Sequence, residues 1–138
     1  MAAWLIALTE DSRRALNGEQ RVIERFPFKV GRESRLPSSP APSSTPPGGE
    51  RRRGAAPQLN DLYIVDSAEV FSVSRAHFQI DLEDGRYYLT DRGSVCGTIV
   101  EGRAVGGDRA GGRVELHDHD VIIVGTSASP FVFKFRIG

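Results

Sequence analysis

The run Phe78-Gln-Ile-Asp-Leu-Glu-Asp-Gly-Arg-Tyr-Tyr-Leu-Thr90 sets apolar Phe78, Ile80 and Leu82 on alternate positions. Successive side chains of an extended chain point to opposite faces, so this period of two predicts a half-buried strand. Asp84-Gly85 then suits a tight turn whose residues need positive φ. Arg86-Tyr-Tyr-Leu-Thr90 follows as the returning strand, and the whole run predicts a β-hairpin. The same pattern continues outward. Phe131-Val-Phe-Lys-Phe-Arg-Ile137 alternates cleanly, and Asp120-Val-Ile-Ile-Val124 is a short apolar run. Leu62 and Ile64 alternate, as do Phe26, Phe28 and Val30, with Pro27 placing that strand near an edge or at its start. Trp4-Leu-Ile-Ala-Leu8 is another apolar run, and Asn17-Gly18 reads as a turn before Arg21-Val-Ile-Glu24. No segment keeps a helical apolar period for three turns. About ten short strands at near-regular spacing predict an all-β fold, a β-sandwich.

One stretch breaks the pattern. Residues 36–57 read LPSSPAPSSTPPGGERRRGAAP and hold six of the eight prolines with one large apolar residue, Leu36. Such a composition buries too little surface to offset chain ordering, so a disordered segment is expected. The 35 residues before it are too few to fold alone. The expectation is one domain over residues 1–138 with a surface insert, since long loops add little closure entropy.

Composition narrows the function. The chain of 138 residues carries 18 basic and 18 acidic side chains, so its formal net charge is zero. A general nucleic-acid binder needs a basic surplus to neutralise phosphates. Docking on an anionic membrane needs one too. Sixteen of the basic residues are Arg, whose forked donors suit carboxylate and phosphate. The single cysteine, Cys96, excludes an internal disulfide framework and a cysteine-built zinc site. No apolar run of about 18 residues is present, and the first eight residues lack the basic leader of a secretory signal. A cytoplasmic setting is expected.

Polar groups gather at four points. Lys29-Val30-Gly31-Arg32 ends a strand, with Gly31 read as a sharp turn and Arg32 projecting beyond it. Val73-Ser74-Arg75-Ala76-His77-Phe78 sets a hydroxyl and a guanidinium at the mouth of a strand, a pair suited to an anionic oxygen cluster. His77 is expected on the same face as Arg75. Asp91-Arg92-Gly93-Ser94-Val95-Cys96-Gly97-Thr98 is a polar tight loop, followed by a second hairpin at Glu101-Gly102. Leu116-His-Asp-His-Asp120 is a polar turn into the strand that ends at Gly125.

In this order the four pieces, with Asn60-Asp61-Leu62, resemble the forkhead-associated (FHA) domain. The family pattern runs Gly-Arg, an Asn-Asp-Ile-like strand, Ser-Arg-x-His, Asp-x-Gly-Ser-x-Asn-Gly-Thr, then Leu-x-x-Gly-Asp-x-Ile-x-x-Gly. His119 stands where that last motif has Gly. The resemblance implies a twisted sandwich of about eleven strands, with the insert in the loop after the third. It implies a non-catalytic signalling module, without cofactor or metal, that binds phosphothreonine peptides from loops at one end. The partner would be a phosphothreonine-containing protein, a Ser/Thr kinase or its substrate. Carried over residue by residue, Arg32 and Ser74 would bind the phosphate and Arg75 would add positive charge nearby. Val95 and Cys96 would lie in the peptide-binding loop. Gly31, His77, Gly97 and Thr98 would be structural.

Two departures stand out. Cys96 replaces the loop asparagine that bonds the ligand backbone, and a thiol is too weak a donor and acceptor to substitute for an amide. Val95 replaces a polar Thr or Ser. Weakened or altered recognition is therefore expected, with phosphate-independent docking or self-association as the alternative. The insert is the second departure. It carries Thr45-Pro46 and Arg51-Arg52-Arg53 beside the expected phosphate site. Enzyme readings find little support. His117-Asp118-His119-Asp120 is similar to part of a metallohydrolase signature, but only His77 remains as a further histidine. No Gly-x-Ser-x-Gly elbow occurs. Gly106-Gly107 and Gly111-Gly112 lack a P-loop lysine and read as hairpin turns.

Overall fold

The computed structural model describes residues 2–32, 60–66 and 72–138. The insert expected at 36–57 lies outside the described residues. Eleven strands form two sheets: β1 (Ala3–Ala7), β2 (Gln20–Ile23), β3 (Phe28–Arg32), β4 (Leu62–Ile64), β5 (Phe78–Glu83), β6 (Arg86–Asp91), β7 (Thr98–Val100), β8 (Arg103–Val105), β9 (Gly112–Leu116), β10 (Val121–Val124) and β11 (Val132–Ile137). One sheet has the order β2-β1-β11-β10-β7-β8, the other β4-β3-β5-β6-β9. The expected all-β sandwich is the observed architecture.

The β5–β6 hairpin forms as the alternation predicts, with Phe78 opposite Asp91 and Glu83 opposite Arg86. Asp84 and Gly85 turn it at φ 52° and 77°, both in the left-handed region that a two-residue turn requires. The inward residues of the two sheets meet as one core. Phe28, Val30, Phe78, Ile80, Tyr87 and Leu89 face Leu5, Ile122, Val124, Phe133 and Phe135, all buried. Tyr87 and Phe135 join the sheets edge to face, with centroids 5.3 Å apart.

Three local features correct or extend what the pattern predicts. The chain holds a short helix, α1 (Glu10–Leu16), where the pattern suggested only strands and a turn. Thr9 caps it by accepting the Ser12 N–H at 3.1 Å. Glu10 and Asp11 occupy its first turn and Arg13 and Arg14 its last, both favoured by the helix dipole. Asn17-Gly18 is therefore the helix C-cap, not a hairpin turn: Asn17 has φ 57°, and the Gly18 N–H returns to the Arg13 carbonyl. The buried Ser12 accepts the Val132 N–H at 2.7 Å, which ties the helix to the sandwich.

Second, β3 and β4 pair in parallel, with Val30 opposite Leu62 and Arg32 opposite Ile64. Parallel neighbours require a crossover connection. The insert falls in that connection, and the strands on its two sides share one sheet.

Third, the glycines at 106–112 do not turn a hairpin. They carry the chain from β8 in one sheet to β9 in the other. Gly106, Gly107, Gly111 and Gly112 all have positive φ there. Among the described residues no helix is long and apolar enough to cross a membrane.

Candidate functional site

One end of the sandwich collects the C-terminal ends of β3 and β4, the 72–77 loop, the 92–97 loop and the 106–111 crossover. Strand polarity dictates this. Asp91 ends β6 opposite both Phe78, which starts β5, and Gly112, which starts β9. Arg32 ends β3 beyond the Val30–Phe78 pair.

Arg32 and Ser74 are brought together. The Arg32 backbone N–H donates to the Ser74 carbonyl at 2.9 Å. Its side-chain Nε donates to the Val73 carbonyl at 3.1 Å. Arg32 is half-buried and belongs to β3 itself, as does Gly31. This corrects the expectation that Gly31 makes a turn. Its φ is not positive; what it provides is close approach. A Cβ at position 31 would collide with the Arg75 carbonyl and would stand 2.6 Å from the Asn60 Nδ2.

The 72–77 loop is fastened from several sides. The Asp66 carboxylate accepts the Ser72 and Val73 N–H groups at 2.8 and 3.1 Å. Asn60 Nδ2 donates to the Arg75 carbonyl at 2.8 Å, and its Oδ1 accepts from Arg92 at 2.6 Å. Burial lowers the Arg92 pKa, while Asp61 and Tyr63 oppose that shift. Arg75 is exposed and His77 fully buried, so the two do not share a face as expected. The chain bends at Arg75 and Ala76, and the strand alternation starts only at Phe78.

His77 is the pivot beneath the loops. Its Nδ1 accepts the Ser74 N–H at 2.9 Å, and its Nε2 lies 2.7 Å from the Gly97 carbonyl. These partners assign the neutral tautomer with the proton on Nε2. Burial lowers the pKa of the imidazole. The bond to Gly97 and the charge of Asp91 oppose that shift, and Arg92 adds to it.

The 92–97 loop is built around a buried carboxylate. Asp91 Oδ1 accepts the Gly93 and Ser94 N–H groups at 3.0 and 2.8 Å. Its Oδ2 accepts the Ser94 and Thr98 hydroxyls at 2.6 and 3.1 Å. Ser94 Oγ in turn accepts the Gly97 N–H at 2.9 Å. Gly97 takes φ 81°, in the left-handed region. Val95 crowns the loop at 51% exposure. Its N–H donates to Ser74 Oγ at 3.0 Å, which joins the two loops. Cys96 is half-buried beside it.

Arg32, Ser74, Arg75, Val95 and Cys96 thus lie on one loop cluster, with Gly31, His77, Gly97 and Thr98 packed into or beneath it. Chemically, the cluster presents guanidinium and hydroxyl donors on a rigid frame, next to an apolar loop tip. Asp66 and Arg92 join the frame without any signal in the sequence reading. Asn60 and Asp91 figure in the sequence only as motif letters without assigned contacts. Nothing in the residue pattern marks Asp66.

The His117–Asp120 segment stands at the opposite end as the β9–β10 turn. The Asp120 carboxylate accepts the His117 N–H, and Asp118 accepts from Arg136 and the Ile137 N–H. These bonds, that of Ile137 first, hold the Asp118 carboxyl below the usual range. Among the described residues no three His, Cys, Asp or Glu side chains are placed to share a metal ion.

The family model for the FHA domain matches residues 52–125. The chain belongs to the FHA domain family. Its fold also matches solved FHA domains. The kinase-interacting FHA domain of the kinase-associated protein phosphatase of Arabidopsis is 23% identical, with a TM-score of 0.63 over 99% of this chain and 93% of that one. The FHA domain of the CT664 protein of Chlamydia trachomatis is 22% identical, with a TM-score of 0.60 over 100% and 99%. Mycobacterium tuberculosis EmbR, solved with a low-affinity phosphopeptide, is 20% identical with a TM-score of 0.57; the match covers 99% of this chain and 24% of EmbR. No curated protein matches the chain.

Proposed function

We propose that this FHA domain is a non-catalytic signalling module that binds phosphothreonine peptides at the Arg32–Ser74 loop cluster. Related FHA domains bind phosphopeptides, and phosphothreonine-dependent interactions are described for the family. The observation that carries the reading is the pairing of Arg32 with Ser74 through the 2.9 Å backbone bond. It sets an Arg fork beside a hydroxyl whose oxygen already accepts from Val95, so the hydroxyl proton is directed to a further acceptor. A phosphate dianion supplies three strong acceptor oxygens, and Arg75 adds an exposed cation next to them. The partner is a phosphothreonine-containing protein, either a Ser/Thr kinase or its substrate, in a cytoplasmic setting.

Recognition is weakened by the loop tip. Val95 and Cys96 withhold side-chain partners worth about 0.5–1.5 kcal/mol each. A phosphorylated peptide library set against its unphosphorylated twin tests the reading. Selective capture from the phosphorylated set, abolished by Arg32→Ala, is expected. The exposed Val95 favours one second reading, phosphate-independent docking. Equal capture from both sets would establish that reading instead.

A further inference from the structure

The 106–111 crossover has an unusual backbone. Gly106, Gly107, Asp108, Arg109 and Gly111 have φ of 76°, 106°, 51°, 63° and 75°. Asp108 and Arg109 are consecutive residues with side chains in the left-handed region, a conformation that persists only where the surroundings enforce it. Here the enforcing partner is the 92–97 loop. The Asp108 N–H donates to the Val95 carbonyl at 2.8 Å, and the Arg109 N–H donates to the Ser94 carbonyl at 2.9 Å. The crossover is also seated from below. A Cβ on Gly106 would collide with the Asp91 carboxyl, and one on Gly97 would stand 3.3 Å from the Gly106 carbonyl. The strained pair is thereby clamped to the residues that precede Cys96.

The clamp fixes Arg109 at the loop tip. Arg109 is exposed and makes no ion pair among the described residues, with Asp108 or otherwise. Asp91, the carboxylate under the crossover, is buried and accepts four hydrogen bonds, and the adjacent Asp108 carboxylate is exposed without pairing to Arg109. Val95, next to it, offers no polar side-chain group. The crossover thus exposes one cation beside one carboxylate, and its backbone bonds the Val95 carbonyl while Ser74 Oγ takes the Val95 N–H.

We propose that Arg109 is a specificity-determining residue that reads an acidic side chain flanking the phosphothreonine. This rests on the phosphothreonine reading of the same site and adds a preference to it. Carried on the crossover that bonds the Ser94 and Val95 carbonyls, Arg109 takes a neighbouring carboxylate and leaves the phosphate to Arg32 and Ser74.

The test uses the whole chain and fluorescent phosphothreonine peptides in which Glu or Ala is scanned through three positions on each side. Binding is measured for wild type, Arg109→Gln and Arg103→Gln, the last an exposed control on β8. An exposed ion pair is worth roughly a two- to fivefold preference for Glu over Ala at the matching position. That preference should vanish in Arg109→Gln and survive in Arg103→Gln. An equal loss for Glu and Ala peptides in Arg109→Gln would assign Arg109 to the phosphate and overturn the proposal. So would the absence of any Glu preference in wild type. Unphosphorylated twins of the same peptides separate the two readings. If they bind as well as the phosphorylated set, the phosphothreonine reading fails, and the Glu preference with its loss in Arg109→Gln still decides the role of Arg109.

Discussion

His77 donates its Nε2–H to the Gly97 carbonyl across 2.7 Å of buried space, and so joins the start of β5 to the 92–97 loop. The same ring accepts the Ser74 N–H at Nδ1. One neutral imidazole therefore holds both loops that carry the candidate ligand contacts. Protonation would place a second N–H against the Ser74 donor and break that link.

A pH dependence follows. Burial lowers the pKa of His77 in the folded state, whereas in the unfolded chain it titrates near the ordinary value of about 6.5. Below that value the unfolded state binds the extra proton first. The stabilisation from neutral His77 is thus complete above about pH 6.5 and is lost as pH falls from there through the folded value. Urea midpoints from pH 7.5 to 5 should fall for wild type. The step should shrink in His77→Gln. Parallel pH profiles for the two proteins would contradict the assignment.

Gly31→Ala should disturb the site without touching the ligand. The added methyl would meet the Arg75 carbonyl, which is backbone and cannot swing aside. Overpacking of this kind costs about 1–3 kcal/mol. Thermal melts should show the loss, and phosphopeptide affinity should fall with it because the 72–77 loop must move. A wild-type melting temperature would show that the loop yields freely.

Asp91→Asn probes the frame beneath the other loop. The carboxylate accepts two N–H and two O–H donors. An amide keeps one acceptor oxygen and turns an NH2 group toward the hydroxyls of Ser94 and Thr98. Ser94 Oγ already accepts from Gly97, so the arrangement cannot simply be reversed. A loss of about 1–3 kcal/mol is expected in denaturant titrations. Amide exchange should rise first at Gly93, Ser94 and Gly97; unchanged protection there would refute the role given to Asp91.

Parts of this structure are legible in the sequence where local chemistry decides them. Phe78–Thr90 announces its hairpin because period-two burial and Asp84-Gly85 agree with each other. The Arg32, Ser74 and Val95 neighbourhood is reached through ordered motifs, which compress tertiary proximity into a readable string. Other features depend on contacts that no local pattern encodes. Seven residues of α1 are too few to show a helical period, although Thr9 and Asn17 do mark its caps. Gly31 reads as a turn because glycine serves equally for a turn and for close approach, and only Arg75 distinguishes them. The glycines from 106 to 112 suit a hairpin as well as a sheet-to-sheet crossover. Asp66 takes its role from a loop whose course is set elsewhere.

The Cys96 position offers the most direct gain of function. Around it the backbone is already held: the Val95 N–H is bonded to Ser74 Oγ, its carbonyl accepts from Asp108, and Gly97 is fixed at both N–H and carbonyl. Exchange of the side chain should therefore leave the loop in place. A thiol is a weak donor and weak acceptor, while an amide supplies both functions to a peptide backbone. Cys96→Asn should tighten phosphothreonine-peptide binding a few-fold to tenfold, the equivalent of about 0.5–1.5 kcal/mol. Val95→Thr should add a smaller gain, because it restores a hydroxyl beside Ser74. Calorimetry on the single and double variants measures both effects. The gain must also be phosphate-dependent, since the introduced amide would bond the peptide only after Arg32 and Ser74 have set its register. Tighter binding of phosphorylated and unphosphorylated peptides alike would mean that the loop docks protein surfaces by itself; no gain at all would remove Cys96 from the account of weakened recognition.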